Sequence, residues 1–296
     1  MKTTAMAAFA VAIMLLVLSP GRSADAPARS EFHHSYPLAA TGTVSIDDDR
    51  GDIHVVGWSA NRVQVDATLT APSSHVLAEM KIKVDSSPTA MKVQTIYPRL
   101  GSDQPWWQLW HDNGPGNSMA VRYTVHVPAG ARIRLSTQSA DVVARGLTAR
   151  FDARTTSGDI QAQDVGDVTL SSVSGDVTVV HGRGTYDVGE TSGRTVLQDV
   201  AGTISSQSVS GKVDLDRVAG KAVVTTTAGD ITAHAYRGVA RLRSVSGDVE
   251  VTLVRGSGVS VSASSVHGDI QSDVPLRQQA PVDVQTVSGD ITAKFL

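Results

Sequence analysis

From about residue 130 onward, hydrophobic and polar residues alternate in short runs that recur at a nearly constant interval. Each run is anchored on a Ser-Gly-Asp-Ile/Val motif or a degenerate copy of it, and the nine anchors are spaced by 17, 18 or 21 residues. At seven and five residues before each anchor, and two and four after it, 33 of 36 positions are apolar. This period of two is typical of strands with one buried face and excludes helix. The anchors are Ala140, Gly158, Gly175, Gly193, Gly211, Gly229, Gly247, Gly268 and Gly289.

Each repeat also carries a second turn, which in most repeats contains its own glycine. A single repeat cannot bury its apolar face, whereas stacked repeats build a continuous core. The sequence therefore predicts an all-β protein whose residues 131–296 form a β-solenoid of about nine coils, with two short strands and about 18 residues per coil. Because parallel crossovers are overwhelmingly right-handed, the expected form is a right-handed parallel β-helix.

Residues 25–130 alternate less regularly than the repeats. An open solenoid end needs a cover, so this part is interpreted as an irregular N-terminal β cap with the first irregular coils. A separate globular domain is the alternative. Strands are predicted at residues 43–46, 63–65, 93–96 and 121–127.

Residues 1–24 have the pattern of a signal peptide. Lys2 precedes an apolar run of 14 residues, Ala5 to Leu18, and Pro20 and Gly21 end that run. The run is too short to span a bilayer, although an uncleaved anchor or a buried helix is the alternative. The sequence predicts an exported protein of the periplasm, cell surface or extracellular space, with no transmembrane span after cleavage. The cleavage position stays open.

Composition narrows the classes of function. The chain has no Cys, which excludes disulfides and thiolate sites. It carries 26 basic and 29 acidic residues, and without residues 1–24 the balance is 24 against 29, a net charge of −5, which argues against nucleic-acid binding. The nine His are scattered, so no metal site is predicted. No phosphate-binding loop or serine-nucleophile motif occurs, so neither catalytic residues nor a cofactor are predicted.

The residues that follow the anchors form a column of aspartates. Stacked aspartates could bind calcium, but the preferred interpretation is that each carboxylate caps turn amides. Arg194 and Lys212 interrupt the column. We expect them to pair with their stacking neighbours, Asp176 and Asp230.

Residues 97–118 differ in composition from everything around them. Trp106, Trp107 and Trp110 lie here, three of the four Trp of the chain, among several glycines and prolines. One interpretation is that the rings cover the end of the solenoid as part of its core. The other is an exposed aromatic platform that binds sugar rings, a membrane surface or a protein partner. These three residues are the candidate ligand-binding residues.

The strand at residues 290–296 ends the chain without a capping element. Either Lys294 protects this sheet edge, or a second copy pairs with it in end-to-end self-association.

Three elements in this order resemble a known bacterial family. They are Gly-Asp-Ile-x-Val-x-Gly-Trp at residues 51–58, Val-x-Tyr-x-Val-x-Val-Pro-x-Gly at residues 121–130, and the tandem Ser-Gly-Asp motifs. Over residues 31–296 the chain resembles the exported β-strand-repeat proteins of unknown function that are labelled "putative adhesins". The resemblance implies an exported β-solenoid and no established catalytic residues. The Arg194 and Lys212 repeats and the tryptophan-rich segment depart from the family pattern.

Three functions are therefore considered. The favoured one is a non-enzymatic exported solenoid that acts as an adhesin or surface-binding module for an unknown glycan, surface or envelope protein. The second is an envelope scaffold or regulatory protein-binding module. The third, a polysaccharide-active enzyme, is disfavoured because turns of two to five residues leave little room to assemble catalytic acids.

Overall fold

The computed structural model describes residues 27–98, 119–256 and 259–296, and in these ranges the protein is all-β except for one short helix. The all-β prediction is confirmed. The chain divides into two compact units, residues 1–143 and residues 144–296. The predicted signal peptide and most of the tryptophan-rich segment lie outside the described residues.

The first unit contains parallel and antiparallel strands. Its elements are β1 (Ala28–Pro37), β2 (Thr43–Trp58), β3 (Arg62–Ala71), α1 (Ser74–Glu79), β4 (Lys81–Ser86), β5 (Ala90–Ile96), β6 (Ala120–Pro128) and the first part of β7 (Arg132–Leu147). The first half of β2 pairs in parallel with β5, and its second half pairs in parallel with β6. β3 is antiparallel to both β1 and β6, and β4 is antiparallel to β5.

The four strands predicted in this part of the chain lie within β2, β3, β5 and β6. The sequence did not reveal β1, because it buries only Ser30 and Tyr36 and so lacks a clear apolar alternation. It did not reveal α1 either, a helix of six residues with one buried side chain, Leu77. The Oγ of Ser73 caps this helix by accepting the N–H of Val76 at 3.3 Å.

The second unit, which we call the repeat stack (residues 144–296), is built from parallel strand pairs one repeat apart. Its longest strands, β11 and β13, continue around the turns of the repeat. The strands are β8 (Phe151–Ser157), β9 (Ile160–Val165), β10 (Val168–Ser174), β11 (Val177–Asp216), β12 (Ala219–Ala228), β13 (Ile231–Ser246), β14 (Val249–Leu253), β15 (Val261–His267), β16 (Ile270–Ser272), β17 (Val282–Ser288) and β18 (Ile291–Phe295).

The inward positions predicted from the alternation form the core. Of the 36 positions, all are buried except Ala263, Ile270 and Ser272. These three belong to the same repeat, β15–β16. The alternation therefore predicted the core correctly, and the exceptions mark one end of the repeat stack.

The stacking order departs from the chain order at the C-terminus. β17 lies between β13 and β15, and β18 lies between β14 and β16. The last repeat of the chain is thus enclosed by the two repeats that precede it, and β15–β16 is the end of the stack.

The prediction that the C-terminal strand is an unprotected edge is therefore wrong. β18 is paired on both sides, and Lys294 lies 3.6 Å from Glu250 of neighbouring β14. The physical reason is the content of the two repeats. The C-terminal repeat buries Val282, Val284 and Ile291 completely, whereas β15–β16 offers mostly small or hydroxyl side chains at the inward positions. Enclosing the more apolar repeat removes more apolar surface from water.

Candidate functional site

A buried polar cluster lies where the tryptophan-rich segment begins. We call it the root cluster: the side chains of Asp48, Thr95, Tyr97 and Tyr123 with the carbonyl of Arg50. β2 changes partner here, because it pairs with β5 up to Asp47 and with β6 from Gly51. The residues between these two ladders are free to turn their polar groups towards the end of β5.

The root cluster holds Tyr97 by two acceptors. Its hydroxyl lies 2.8 Å from Oδ1 of Asp48 and 2.9 Å from the carbonyl of Arg50, and its proton is shared between them. Beside this pair, Oγ1 of Thr95 and Oη of Tyr123 lie 2.7 Å apart. Asp48 is only 2% exposed, and its Oδ2 has no hydrogen-bond partner among the described residues. The first residue of the segment is thus fixed to β2.

Burial dominates the electrostatics of this cluster. It raises the pKa of Asp48 to about 6, and the hydrogen bond from Tyr97 offsets this only in part. Burial, together with the charge of Asp48, also raises the pKa of Tyr97 and of Tyr123. At neutral pH the cluster therefore holds a carboxylate in an unfavourable environment, an arrangement that occurs preferentially at functional sites.

The sequence predicted the tryptophans and not the cluster that precedes them. Trp106, Trp107 and Trp110 lie outside the described residues. Asp48 was missed because three consecutive aspartates read as a solvated turn. The available signal was the alternation itself, since Val44, Ile46 and Asp48 share the inward phase of β2.

In the repeat stack the anchor aspartates cap backbone amides of the next repeat, which confirms the capping interpretation. Each bond runs from a backbone N–H to the Oδ1 of the equivalent aspartate one position away in the stack, at 2.8–3.0 Å. The donor and acceptor residues are Asp176 to Asp159, Arg194 to Asp176, Asp248 to Asp230, Asp290 to Asp248 and Asp269 to Asp290. The last two bonds follow the spatial order of the repeats and not the chain order.

The predicted ion pairs in this column are wrong. Among the described side chains, Arg194 and Lys212 both approach Asp214 instead, at 3.5 Å and 3.3 Å. Asp176 meets the backbone N–H of Arg194, so the long guanidinium extends past the turn to the strand face. Like-charge repulsion is relieved there, outside the aspartate column.

One repeat has a polar core. Thr195 stands where other repeats carry an apolar residue, and its Oγ1 donates to Oε2 of Glu190 at 2.8 Å. Both are buried, and burial raises the pKa of Glu190. Glu190 lies in the column of buried hydroxyls that includes Ser172 and Ser208. The two polar exceptions compensate each other, so we assign this pair to the fold.

An exposed row of β-branched residues runs along the repeat stack, two positions before each anchor. We call it the valine row. Its valines are 45–67% exposed, and its threonines are also exposed. At about 4.8 Å per repeat the row is about 34 Å long. In stacking order it consists of Thr156, Val173, Thr191, Val209, Thr227, Val245, Val287 and Val266.

The opposite turn of the repeat stack carries non-glycine residues in the left-handed region. Asp164, His181, Asp199, Arg217 and Ala235 have φ of 52–55°. Arg217 donates two bonds to Asp199, at 2.6 and 2.8 Å, and this guanidinium lowers the pKa of Asp199. The first four residues border an open groove of about 430 Å³. Because the charged side chains engage one another, we assign them to the stability of the turn.

Within the described ranges, no group of three or more His, Cys, Asp or Glu side chains is placed to hold a metal ion. No helix in those ranges is long and apolar enough to cross a membrane.

Solved structures share this fold at low sequence identity. A putative lipid binding protein from Parabacteroides distasonis ATCC 8503 is 9% identical with a TM-score of 0.50, over 90% of this chain and 96% of that chain. A putative adhesin from Bacteroides fragilis NCTC 9343 is 12% identical with a TM-score of 0.38, over 91% and 99%. A putative cell adhesion protein from Clostridium sporogenes ATCC 15579 is 10% identical with a TM-score of 0.26, over 90% and 100%. Only the first supports a comparison, and it is one of fold alone.

No curated protein matches the sequence. One family model does, and it covers most of the repeat stack, including the C-terminal repeat. The family resemblance expected from the motifs is thereby confirmed: residues 184–295 form a Toastrack DUF4097 domain.

Proposed function

We propose that this protein is an exported, non-enzymatic surface-binding module of the adhesin type. In this proposal the repeat stack is a right-handed β-solenoid, and Trp106, Trp107 and Trp110 bind a glycan, a surface or an envelope protein. The root cluster is the observation that carries the proposal. The predicted signal peptide supports location in the periplasm, at the cell surface or outside the cell.

The root cluster supports binding because it favours position over stability. Burying Asp48 with one oxygen unpaired costs folding energy, and what it provides is a fixed Tyr97. The chain returns from the segment at buried Met119 and enters β6, which is paired along its length with β2 and β3. Both ends of the tryptophan-rich segment are therefore fixed to a rigid sheet, the usual arrangement for binding loops.

The repeat stack supports a non-enzymatic role. Its turns are short, and its polar columns are engaged with backbone amides or with each other. The long parallel faces of stacked repeats suit extended contact with a surface or partner.

The first test replaces the three tryptophans together. We expect W106A/W107A/W110A to lose at least about tenfold in binding to an immobilised glycan panel or to peptidoglycan, because Trp is a preferred binding anchor. We expect the melting temperature to change by no more than about 2 °C. Binding and thermal unfolding are measured on the same preparations.

Y97F is the matched control, because it removes the hydroxyl that Asp48 and Arg50 hold and leaves all three tryptophans in place. A partial loss of binding in Y97F would show that the root cluster positions the segment. A large fall in the melting temperature of the triple variant would identify the rings as core and overturn the proposal.

A second candidate function, an envelope scaffold or regulatory protein-binding module, is favoured by the valine row. A continuous exposed apolar row is unusual on a soluble surface and is typical of contact sites. The anchor aspartates follow three positions later along each repeat, so the partner that fits is a protein segment with apolar and basic side chains.

To test this candidate, V173K, V209K and V245K are combined. We expect loss of one stoichiometric partner from envelope extracts with little change in melting temperature, because these side chains are 45–50% exposed. T178K/T232K, on the second strand of the same stack, is the matched control. Retention of the partner in the valine variant would exclude the row as its binding site.

A further inference from the structure

The C-terminal repeat, β17–β18, fills a position with a strand edge on each side. The N–H of Gly247 donates to the carbonyl of Ser288 at 2.9 Å, and the N–H of Gly289 donates to the carbonyl of His267 at 3.1 Å. If residues 282–296 left, one chain would present two facing edges separated by the width of one repeat. We call this space the slot.

The chain connectivity makes this repeat separable. From β8 to β14 the repeats stack in chain order, so each is tied to its stacking neighbours on both sides. The C-terminal repeat is enclosed as they are but is joined to the chain at one end only. It can therefore leave and return without threading through another part of the molecule.

The slot is selective for one kind of strand. A Cβ on Gly289 would overlap the carbonyl of Gly247, and a Cβ on Gly268 would overlap the carbonyl of Gly289. The slot also presents Asp248 Oδ1 to an incoming amide, and the amide of Asp269 to an incoming carboxylate. A strand that fits needs Gly-Asp at this phase and Val, Ile or Ala facing inward. The C-terminal repeat of a second copy meets every requirement.

The connection into the repeat, residues 273–281, can span to a second molecule. It contains Pro275 and Pro281, and its strand pairing is a single bridge between Leu276 and Val261. Two backbone bonds hold it to Val261, at 3.0 and 3.1 Å. Nine extended residues reach about 30 Å, which exceeds the depth of the slot.

The end repeat reinforces this separability. Among the described strands, β15 and β16 pair only with β17 and β18. Release of the C-terminal repeat therefore also frees the end repeat, and the remaining stack stays paired. Such a terminal unit opens at lower free energy than the whole fold.

We propose that the C-terminal repeat exchanges between copies: residues 282–296 of one chain occupy the slot of a second chain, and a domain-swapped dimer results. The exchange keeps each hydrogen bond and each buried side chain of the slot, so its cost is confined to the connection and to association. The dimer presents two tryptophan-rich segments and so adds avidity to surface binding.

The test uses two chains with one cysteine each. Glu250 and Thr292 are register partners on β14 and β18, and adjacent strands are close enough for a disulfide. The wild-type chain has no Cys to interfere. E250C and T292C chains with different tags are mixed, concentrated, warmed below the melting temperature and oxidised. We expect at least about tenfold more disulfide-linked heterodimer than in a control mixture of T232C and E250C chains.

The control pair has the same geometry but lies on β13 and β14, which follow the chain order. Its cysteines meet between molecules only by random collision. Heterodimer in the E250C and T292C mixture at the control level would overturn the proposal. The double variant E250C/T292C gives a second reading: a disulfide-linked dimer supports exchange, and an exclusively intramolecular disulfide at the same concentration contradicts it.

Discussion

Replacing Gly220 by Ala is expected to destabilise the repeat stack by about 3 kcal/mol or more, a fall of roughly 10 °C in melting temperature. Gly220 has φ +128°, a conformation that residues with a side chain rarely adopt. A Cβ at this position would also overlap the carbonyl oxygen of Gly202 in the adjacent repeat. Relief would require the two repeats to separate, and the surrounding parallel ladder resists separation. The strain and the clash therefore add.

Gly189 is the matched control, on the same long strand β11 as Gly202. A Cβ there would meet no atom within 4 Å. Because the substitution restricts only the unfolded chain, we expect Gly189→Ala to be neutral or to stabilise by up to about 1 kcal/mol. Chemical denaturation of both variants measures the difference. Equal stabilities would show that the close approach of the glycines is not a constraint on the stack.

The same glycines explain how much of the fold the sequence could predict. A period near 18 residues and a strict alternation determine which side chains face inward, and burial of the 36 inward positions follows from that pattern alone. The stacking order does not follow, because the motif is the same in each repeat and any two repeats can pair. The order at the C-terminus depends on small differences in apolar content between Val282–Ile291 and Val261–Ile270.

The sequence was less informative about functional residues. Arg217 and Ala235 have no sequence signature for a left-handed turn, since neither residue type favours it. The root cluster needs contacts between residues far apart in the chain, Asp48 with Tyr97 and Thr95 with Tyr123. The phase of Asp48 pointed inward, but the identity of its partners depended on where β5 ends and β6 begins.

Asp48→Asn is expected to raise the free energy of unfolding at pH 7 by about 2 kcal/mol. The pKa of Asp48 rises from an ordinary value of 3.8 to about 6 on folding, and a shift of two units corresponds to about 3 kcal/mol. A raised pKa means that the folded state binds the proton more tightly. The penalty is therefore absent below pH 4, grows between pH 4 and 6, and is complete above pH 6. The asparagine removes the charge and keeps an oxygen acceptor for Tyr97, while its amide group offsets part of the gain.

Urea denaturation from pH 4 to pH 7.5 checks this expectation. The wild type should lose stability relative to D48N as the pH rises through this range, and the two should converge at pH 4. The control is D49N, which removes a neighbouring exposed carboxylate and should change stability by less than about 0.5 kcal/mol. A parallel slope in D48N and wild type would contradict the assignment of the buried charge. If D48N gains stability and binds glycan or peptidoglycan less well, Asp48 is retained for the placement of Tyr97, because stability alone would favour asparagine.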